Sequence, residues 1–141
     1  MPPKVVMRLI SGTHELCYRL SGGVIGGRLG HLPVLLLTTT GRRSGRKRTI
    51  PLVYLSDGEN MVIIASNGGS DRHPEWWLNL RSQPKAEVQL GADARTVVAH
   101  RAEGDERERL WREVVELYHG YDEYRQITSR EIPVVVLTPE N

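Results

Sequence analysis

Cysteine is almost missing from this chain: Cys17 is the only one in 141 residues. An intramolecular disulfide and a cysteine-rich zinc site are both excluded, and a cytoplasmic location is the expectation. A lone thiol of this kind is ordinarily buried and inert. Long hydrophobic runs are missing as well. Runs such as Met61 to Ala65 and Val134 to Leu137 fall far short of the roughly 20 residues that a membrane-spanning helix requires. The N-terminal stretch MPPKVVMRLISGTHELCYRL is broken by Arg8 and then by polar residues, and is too weakly apolar for a signal peptide. Peripheral contact at the inner membrane face stays open. His14, His31, His73, His100 and His119 show no metal-ligand spacing, so no metal is expected. No repeat, low-complexity tract or nucleophile–base arrangement stands out.

A strong charge of one sign is also lacking, with 19 basic against 17 acidic residues. Yet TTTGRRSGRKRT, residues 38 to 49, packs Arg42, Arg43, Arg46, Lys47 and Arg48 into one tight turn, and the rest of the chain holds 14 basic residues against 17 acidic. Five like charges within seven residues repel one another unless an anion meets them. A phosphate-like ligand needs converging N–H groups and guanidinium forks, which Gly41, Ser44 and Gly45 can supply beside Arg42 and Arg48. Nucleic acid needs a longer basic stripe with interleaved aromatics. Residues 103 to 131 instead hold nine acidic and five basic residues, which repel a polyanion, so nucleic acid is not the expected partner. Composition alone leaves a phosphate-like ligand and a merely solvated turn both open.

The pattern along the chain is mainly β. A helix is expected between Val5 and Leu20, followed by the glycine-rich connector GGVIGGRLGHLP, so that residues 1–33 precede a domain spanning 34–141. VLLLTTT (34 to 40) and RTIPLVYL (48 to 55) read as strands joined by the basic turn. Ser56 to Asn60 is a second turn, leading to MVIIAS (61 to 66) as a third consecutive antiparallel strand. Pro74 opens a helix over PEWWLNLRSQ and Pro84 closes it. EVQL (87 to 90) and RTVVAHRAE (95 to 103) form another hairpin. DERERLWREVVELY (105 to 118) places Leu110, Trp111, Val114, Val115, Leu117 and Tyr118 at helical spacing. A shorter helix around YDEYRQI precedes a last strand, IPVVVL (132 to 137). About six strands with short helices suggest a small antiparallel barrel, because a parallel α/β sheet would require a helix after nearly every strand.

Two further stretches carry chemistry. A strand ending in Ser66-Asn67-Gly68-Gly69 lets backbone lie close to a flat ligand. Trp76 and Trp77 begin the helix that ends in Asn79 and Leu80; adjacent tryptophans ordinarily bury one ring and rest the other at the surface. The order TTTGRRSGRKR, ASNGG, HPEWWLNLRSQP, an acidic helix followed by LYHGYDEY, then IPVVVLTP, resembles the deazaflavin-dependent nitroreductase and F420H2-dependent quinone reductase family over roughly residues 34 to 139.

That resemblance implies a split β-barrel of the FMN-binding type, coenzyme F420, and hydride transfer to a quinone-like or nitroaromatic acceptor. The cofactor's phosphodiester and oligoglutamate tail would suit the cationic turn. By motif, Arg42, Arg43 and Ser44 would hold phosphate and tail. Arg48, Thr49, Ile50, Pro51, Leu52 and Val53 would line the cofactor, Ile64, Ala65, Ser66 and Asn67 would meet the deazaflavin, and Glu75, Trp76, Trp77, Leu78 and Asn79 would close the other side. Tyr118, Tyr121 and Tyr124, three residues apart, would line the acceptor pocket along one side of a continuing helix, with a hydroxyl of Tyr121 or Ser66 donating to the acceptor oxygen. The alternatives are a non-enzymatic F420 carrier and an FMN-dependent barrel enzyme. A homodimer stays open.

Overall fold

Alternation along the strands decides which face of each is buried. The computed structural model describes residues 28–29, 32–66, 72–118, 121 and 130–140. The helix and connector expected before residue 28, Asn67, Tyr124 and most of the segment around YDEYRQI lie outside the described residues. The described chain forms β1 (Arg28–Leu29), β2 (Leu32–Thr40), β3 (Lys47–Val53), β4 (Leu55–Asp57), β5 (Asn60–Ile64), α1 (Glu75–Ser82), β6 (Lys85–Leu90), β7 (Asp93–Arg101), α2 (Gly104–Leu117) and β8 (Val134–Pro139). The six expected strands correspond to the six long ones, the second reaching by one residue into the short β4; β1 is a short addition.

All pairings are antiparallel, in the order β1-β2-β6-β7-β8-β5-β4, with β3 on β2. The expected strand over residues 48 to 55 is in fact two. It divides at Tyr54, whose N–H donates to Pro33 O at 3.1 Å. Its first part pairs with β2 and its second with β5, so β5 takes β4 and β8 as neighbours rather than β3. This corrects the expectation of three consecutive paired strands. Because β3 and β4 are joined through one residue, the chain brings two ends of the hydrogen-bonded path together without a ladder between them. The result is a split β-barrel whose seam lies at Tyr54.

Leu35, Leu37, Met61, Ile63, Ala65, Ala86, Val88, Val97, Val135 and Leu137 form the barrel interior together with Trp76, Trp77 and Leu80 of α1. The intervening Val62, Ile64, Val134 and Val136 form a second cluster with Leu110, Trp111 and Val114 of α2. Strands β5 and β8 read as unbroken apolar runs because both of their faces are covered, one by the barrel and one by this helix. Burying a large apolar side chain of this kind contributes about 1.5–3 kcal/mol. Polar bonds set the helix angle: Arg107 Nη1 donates to Ile132 O at 2.6 Å, its Nε lies 3.3 Å from Glu131 Oε1, and its guanidinium lies 5.5 Å from the Trp111 ring centroid.

Helix α1 starts one residue later than the sequence suggests. Pro74 is its extended N-cap, and its carbonyl accepts from Trp77 and Leu78. It ends where Gln83, before Pro84, turns extended (φ −141°, ψ 100°), as a residue preceding proline does.

Candidate functional site

The basic turn and the tryptophan helix, separated by about thirty residues in the chain, meet in space. The turn closes through Gly41 N–H to Arg46 O and Gly45 N–H to Gly41 O, both 2.8 Å, and Arg46 N–H donates to Ser44 Oγ at 3.1 Å. A Cβ at Gly41 would lie 2.7 Å from Ser44 Oγ and 3.2 Å from Arg46 O, so a side chain there would displace the Ser44 hydroxyl from its bond to Arg46 N–H. Gly45 has φ +71°, a left-handed conformation that costs other residues about 1–2 kcal/mol.

This turn docks on α1 through one amide. Arg42 N–H and Arg42 Nη1 both donate to Asn79 Oδ1, at 3.1 and 3.0 Å, and Nη1 also donates to Glu75 Oε2 at 2.6 Å. Asn79 Nδ2 donates in turn to Thr39 Oγ1 at 3.2 Å. Asn79 and Thr39 are 4% and 1% exposed. A buried amide satisfied on both sides has one orientation, so β2, the turn and α1 are held as a unit.

The other cations of the run are exposed. Arg43, Arg46 and Arg48 are exposed and none pairs with a carboxylate among the described residues. Lys47 Nζ donates to Thr40 Oγ1 at 3.2 Å. Arg42 spends only Nη1 on its partners, which leaves the Nε–Nη2 edge for an anion. Arg48 stands opposite Thr39 in the β2–β3 register. Opposed residues share a face, so Arg48 continues the inward row of Leu52 and Ile50, which pack against the cluster holding Ala65, Trp76 and Trp77. Both tryptophans are buried in that interior, 5% exposed each, rather than one of them resting at the surface. The Trp77 Nε1–H is buried with no hydrogen-bond partner among the described residues.

Arg42, Arg43, Ser44, Arg48, Ile50, Leu52, Ala65, Glu75, Trp76, Trp77 and Asn79 therefore lie on elements that the structure brings together. Thr49, Pro51 and Val53 alternate to the opposite face of β3, and Thr49 Oγ1 lies 2.7 Å from Thr38 Oγ1. Leu78 is half-buried on α1. The Ile64 side chain turns to the second cluster, beneath α2. Ser66 is buried just beyond β5, its carbonyl accepting from Arg130 Nη2 at 2.8 Å.

The tyrosines behave differently from the sequence expectation. Helix α2 ends at Leu117 and Tyr118 caps it in an extended conformation (φ −150°, ψ 104°), so the helix does not continue from Tyr118 to Tyr121. No basic residue occupies its last turn, and His119-Gly120 follows, a poor continuation for a helix. Tyr118 and Tyr121 still meet, ring centroids 5.1 Å apart at 59°, with Tyr121 packed against the cluster beneath α2.

Sequence reading missed Arg46 as a free cation, although it belongs to the same basic run, and missed Thr39 as an anchor. Alternation with Leu35 and Leu37 was the available signal for Thr39. Arg130 carried no local signal, since its partners are distant in the chain.

The architecture and this junction define the class: a split β-barrel of the FMN-binding type with a cationic hairpin clamped to its tryptophan helix. The chain belongs to the F420H(2)-dependent quinone reductase family, whose model matches residues 10–139, and so to the F420H2-dependent oxidoreductases. It is 41% identical over 129 residues to the F420H(2)-dependent quinone reductase Rv1261c of Mycobacterium tuberculosis H37Rv, covering 89% of this chain and 87% of that protein. A solved structure of an F420-H2 dependent reductase, FDR-A, is 40% identical, with a TM-score of 0.69 over 74% of this chain and 93% of that one. A second solved structure, described as a domain-swapped dimer, is 35% identical, with a TM-score of 0.72 over 89% of this chain and 96% of that one.

Proposed function

We propose that this protein passes a hydride from F420H2 to a quinone, with the cofactor's anionic tail held at the junction of the hairpin and α1. One observation supports the tail assignment above all: Arg43, Arg46, Arg48 and the free edge of Arg42 project from a turn that Asn79 holds in place. Guanidinium forks match phosphate and carboxylate geometry, so the donor set fits a phosphodiester followed by glutamates. Ser44 belongs to the same turn. The inward side chains Ile50, Leu52 and Ala65, the main chain of residues 49–53, Ser66, and the helix residues Glu75 to Asn79 would surround the ring. When bound, the deazaflavin supplies two-electron hydride chemistry, and the protein contributes position and electrostatics. Ser66 and Tyr121 are the proposed donors toward the acceptor oxygen, with Tyr118 against the Tyr121 ring.

The test is anaerobic mixing of F420H2 with a menadione-type quinone, followed through the returning deazaflavin absorbance. Catalytic re-oxidation is the expected result, and a nitroaromatic acceptor is the second arm. Binding without turnover would make the protein a carrier. Tight retention of FMN through dialysis, with no F420 binding, would make it a flavin enzyme. The relative described as a domain-swapped dimer supports a homodimer here, which light scattering on the purified protein checks.

A further inference from the structure

The site proposed above has two walls, the end of β5 at Ser66 and the start of α1, and one side chain from a third part of the chain touches both. Arg130, before β8, donates from Nη2 to Ser66 O at 2.8 Å, and its Nη1 lies 3.2 Å from His73 Nδ1. His73 is half-buried and immediately precedes Pro74, the cap of α1. Because a guanidinium only donates, the His73 Nδ1 must be the unprotonated nitrogen, which places the imidazole in its neutral form with the proton on Nε2.

We propose that Arg130 is a positioning residue that sets the spacing between Ser66 and the tryptophan helix, and that His73 makes this clip releasable by acid. A planar fork suits the task because its two N–H groups are fixed relative to each other, so the two acceptors are fixed as well. A lysine at the same place could satisfy one acceptor but could not set the angle between two. Protonation of His73 at Nδ1 would turn the acceptor into a donor facing a cation, and the clip would lose one arm.

Among the described residues, the groups that shift the titration of His73 are cations. Arg81 of α1, Arg101 at the end of β7 and Arg130 itself face His73 with positive charge, and Arg72 precedes it in the chain. Of the described carboxylates next in sequence to this clip, Glu131 is shared between Arg101 and Arg107, at 3.4 and 3.3 Å, and Glu75 is engaged by Arg42. Burial first, then Arg130, Arg81 and Arg101, hold His73 below the usual histidine range. The clip is therefore closed at neutral pH and opens only below the ordinary histidine range.

The inference rests on the cofactor reading given above, and the experiment separates the two. Intrinsic tryptophan emission of the unliganded protein and its Kd for F420 are both measured from pH 5 to 8, for wild type, His73→Asn and Arg130→Lys. In wild type, emission from the buried Trp76 and Trp77 shifts as pH falls through the folded value of His73, which lies below the ordinary 6.5, and F420 affinity falls in the same window. In His73→Asn, which offers an acceptor that does not titrate, both changes disappear. Titration of the ligand itself is common to the two proteins and cancels in their ratio. Arg130→Lys at pH 7.5 weakens F420 binding about tenfold, the scale of a lost charged hydrogen bond, and raises KM for F420H2 more than it lowers kcat. An emission transition that depends on His73 in a protein that fails to bind F420 overturns the cofactor reading and keeps the clip. Parallel pH profiles in wild type and His73→Asn, or Arg130→Lys binding F420 as tightly as wild type, overturn the clip.

Discussion

The five cations of the hairpin are chemically alike and do different work. Arg42 is bound into a buried amide network, so Arg42→Ala should lower stability by about 1–2 kcal/mol as well as weaken F420 binding, because Asn79 and Glu75 lose a partner. Arg48 is exposed and unpaired among the described residues. Arg48→Ala should leave the thermal midpoint unchanged while weakening F420 binding by about 1.5–3 kcal/mol, the range for hydrogen bonds to charged groups. The affinity lost should fall with rising ionic strength, and more for long-tailed F420 than for a form without glutamates, since exposed charges are screened. An identical salt response for both forms would remove the tail from this turn. Tyr121 is tested in the same way. Its packing beneath α2 means that Tyr121→Ala should cost stability, whereas Tyr121→Phe keeps the ring and removes only the hydroxyl. If Tyr121→Phe reduces a quinone at the wild-type rate, the residue serves packing alone.

At the scale of elements, α1 and α2 have distinct roles although each carries tryptophan. Helix α1 inserts Trp76, Trp77 and Leu80 into the barrel and is tied to the cationic turn, so ligand binding at that turn should be sensed optically. F420 should quench tryptophan emission, and replacing both Trp76 and Trp77 by Phe should remove most of the quenching. Quenching that survives would have to come from Trp111 and would move the ring to the other side of β5. Helix α2 is a cover: Leu110 is fully buried beneath it, and Leu110→Ala should destabilise by about 2–5 kcal/mol, in line with large-to-small core substitutions. Calorimetry should show that loss with F420 affinity of the folded protein near wild type.

Across the whole molecule, two groups among the described residues make stability depend on acid in separate windows. His73 is held below its ordinary value of 6.5 by burial and the facing arginines, so the folded state binds fewer protons there than the unfolded chain. Its contribution is complete above 6.5 and is lost as pH falls through that value toward the folded one. Asp57 is held below its ordinary 3.8, mainly by hydrogen bonding to Arg109, whose two nitrogens each lie 3.1 Å from its oxygens. That contribution is present above 3.8 and is lost as pH falls through the lower folded value. Melting curves from pH 8 to pH 2 should therefore decline in two stages. His73→Asn should abolish the upper stage alone and Asp57→Asn the lower alone; a single stage unaffected by either would contradict both assignments.

The sequence by itself determined the strands, the two described helices and the cationic turn, because period-2 alternation, glycines, prolines and like-charge clustering act within a few residues. The order of its motifs determined the family. Only the tertiary structure decided that residues 48 to 55 break at Tyr54 and serve two neighbours, since a strand does not announce its partners. It also decided that Arg42 is clamped while Arg48 is free, that both Trp76 and Trp77 are buried, and that α2 stops before Tyr118 can align with Tyr121. Each outcome depends on groups brought together from far apart in the chain, such as Thr39 with Asn79, or Arg130 with Ser66 and His73. Their hydrogen bonds form only once the barrel has closed, and no local pattern encodes them.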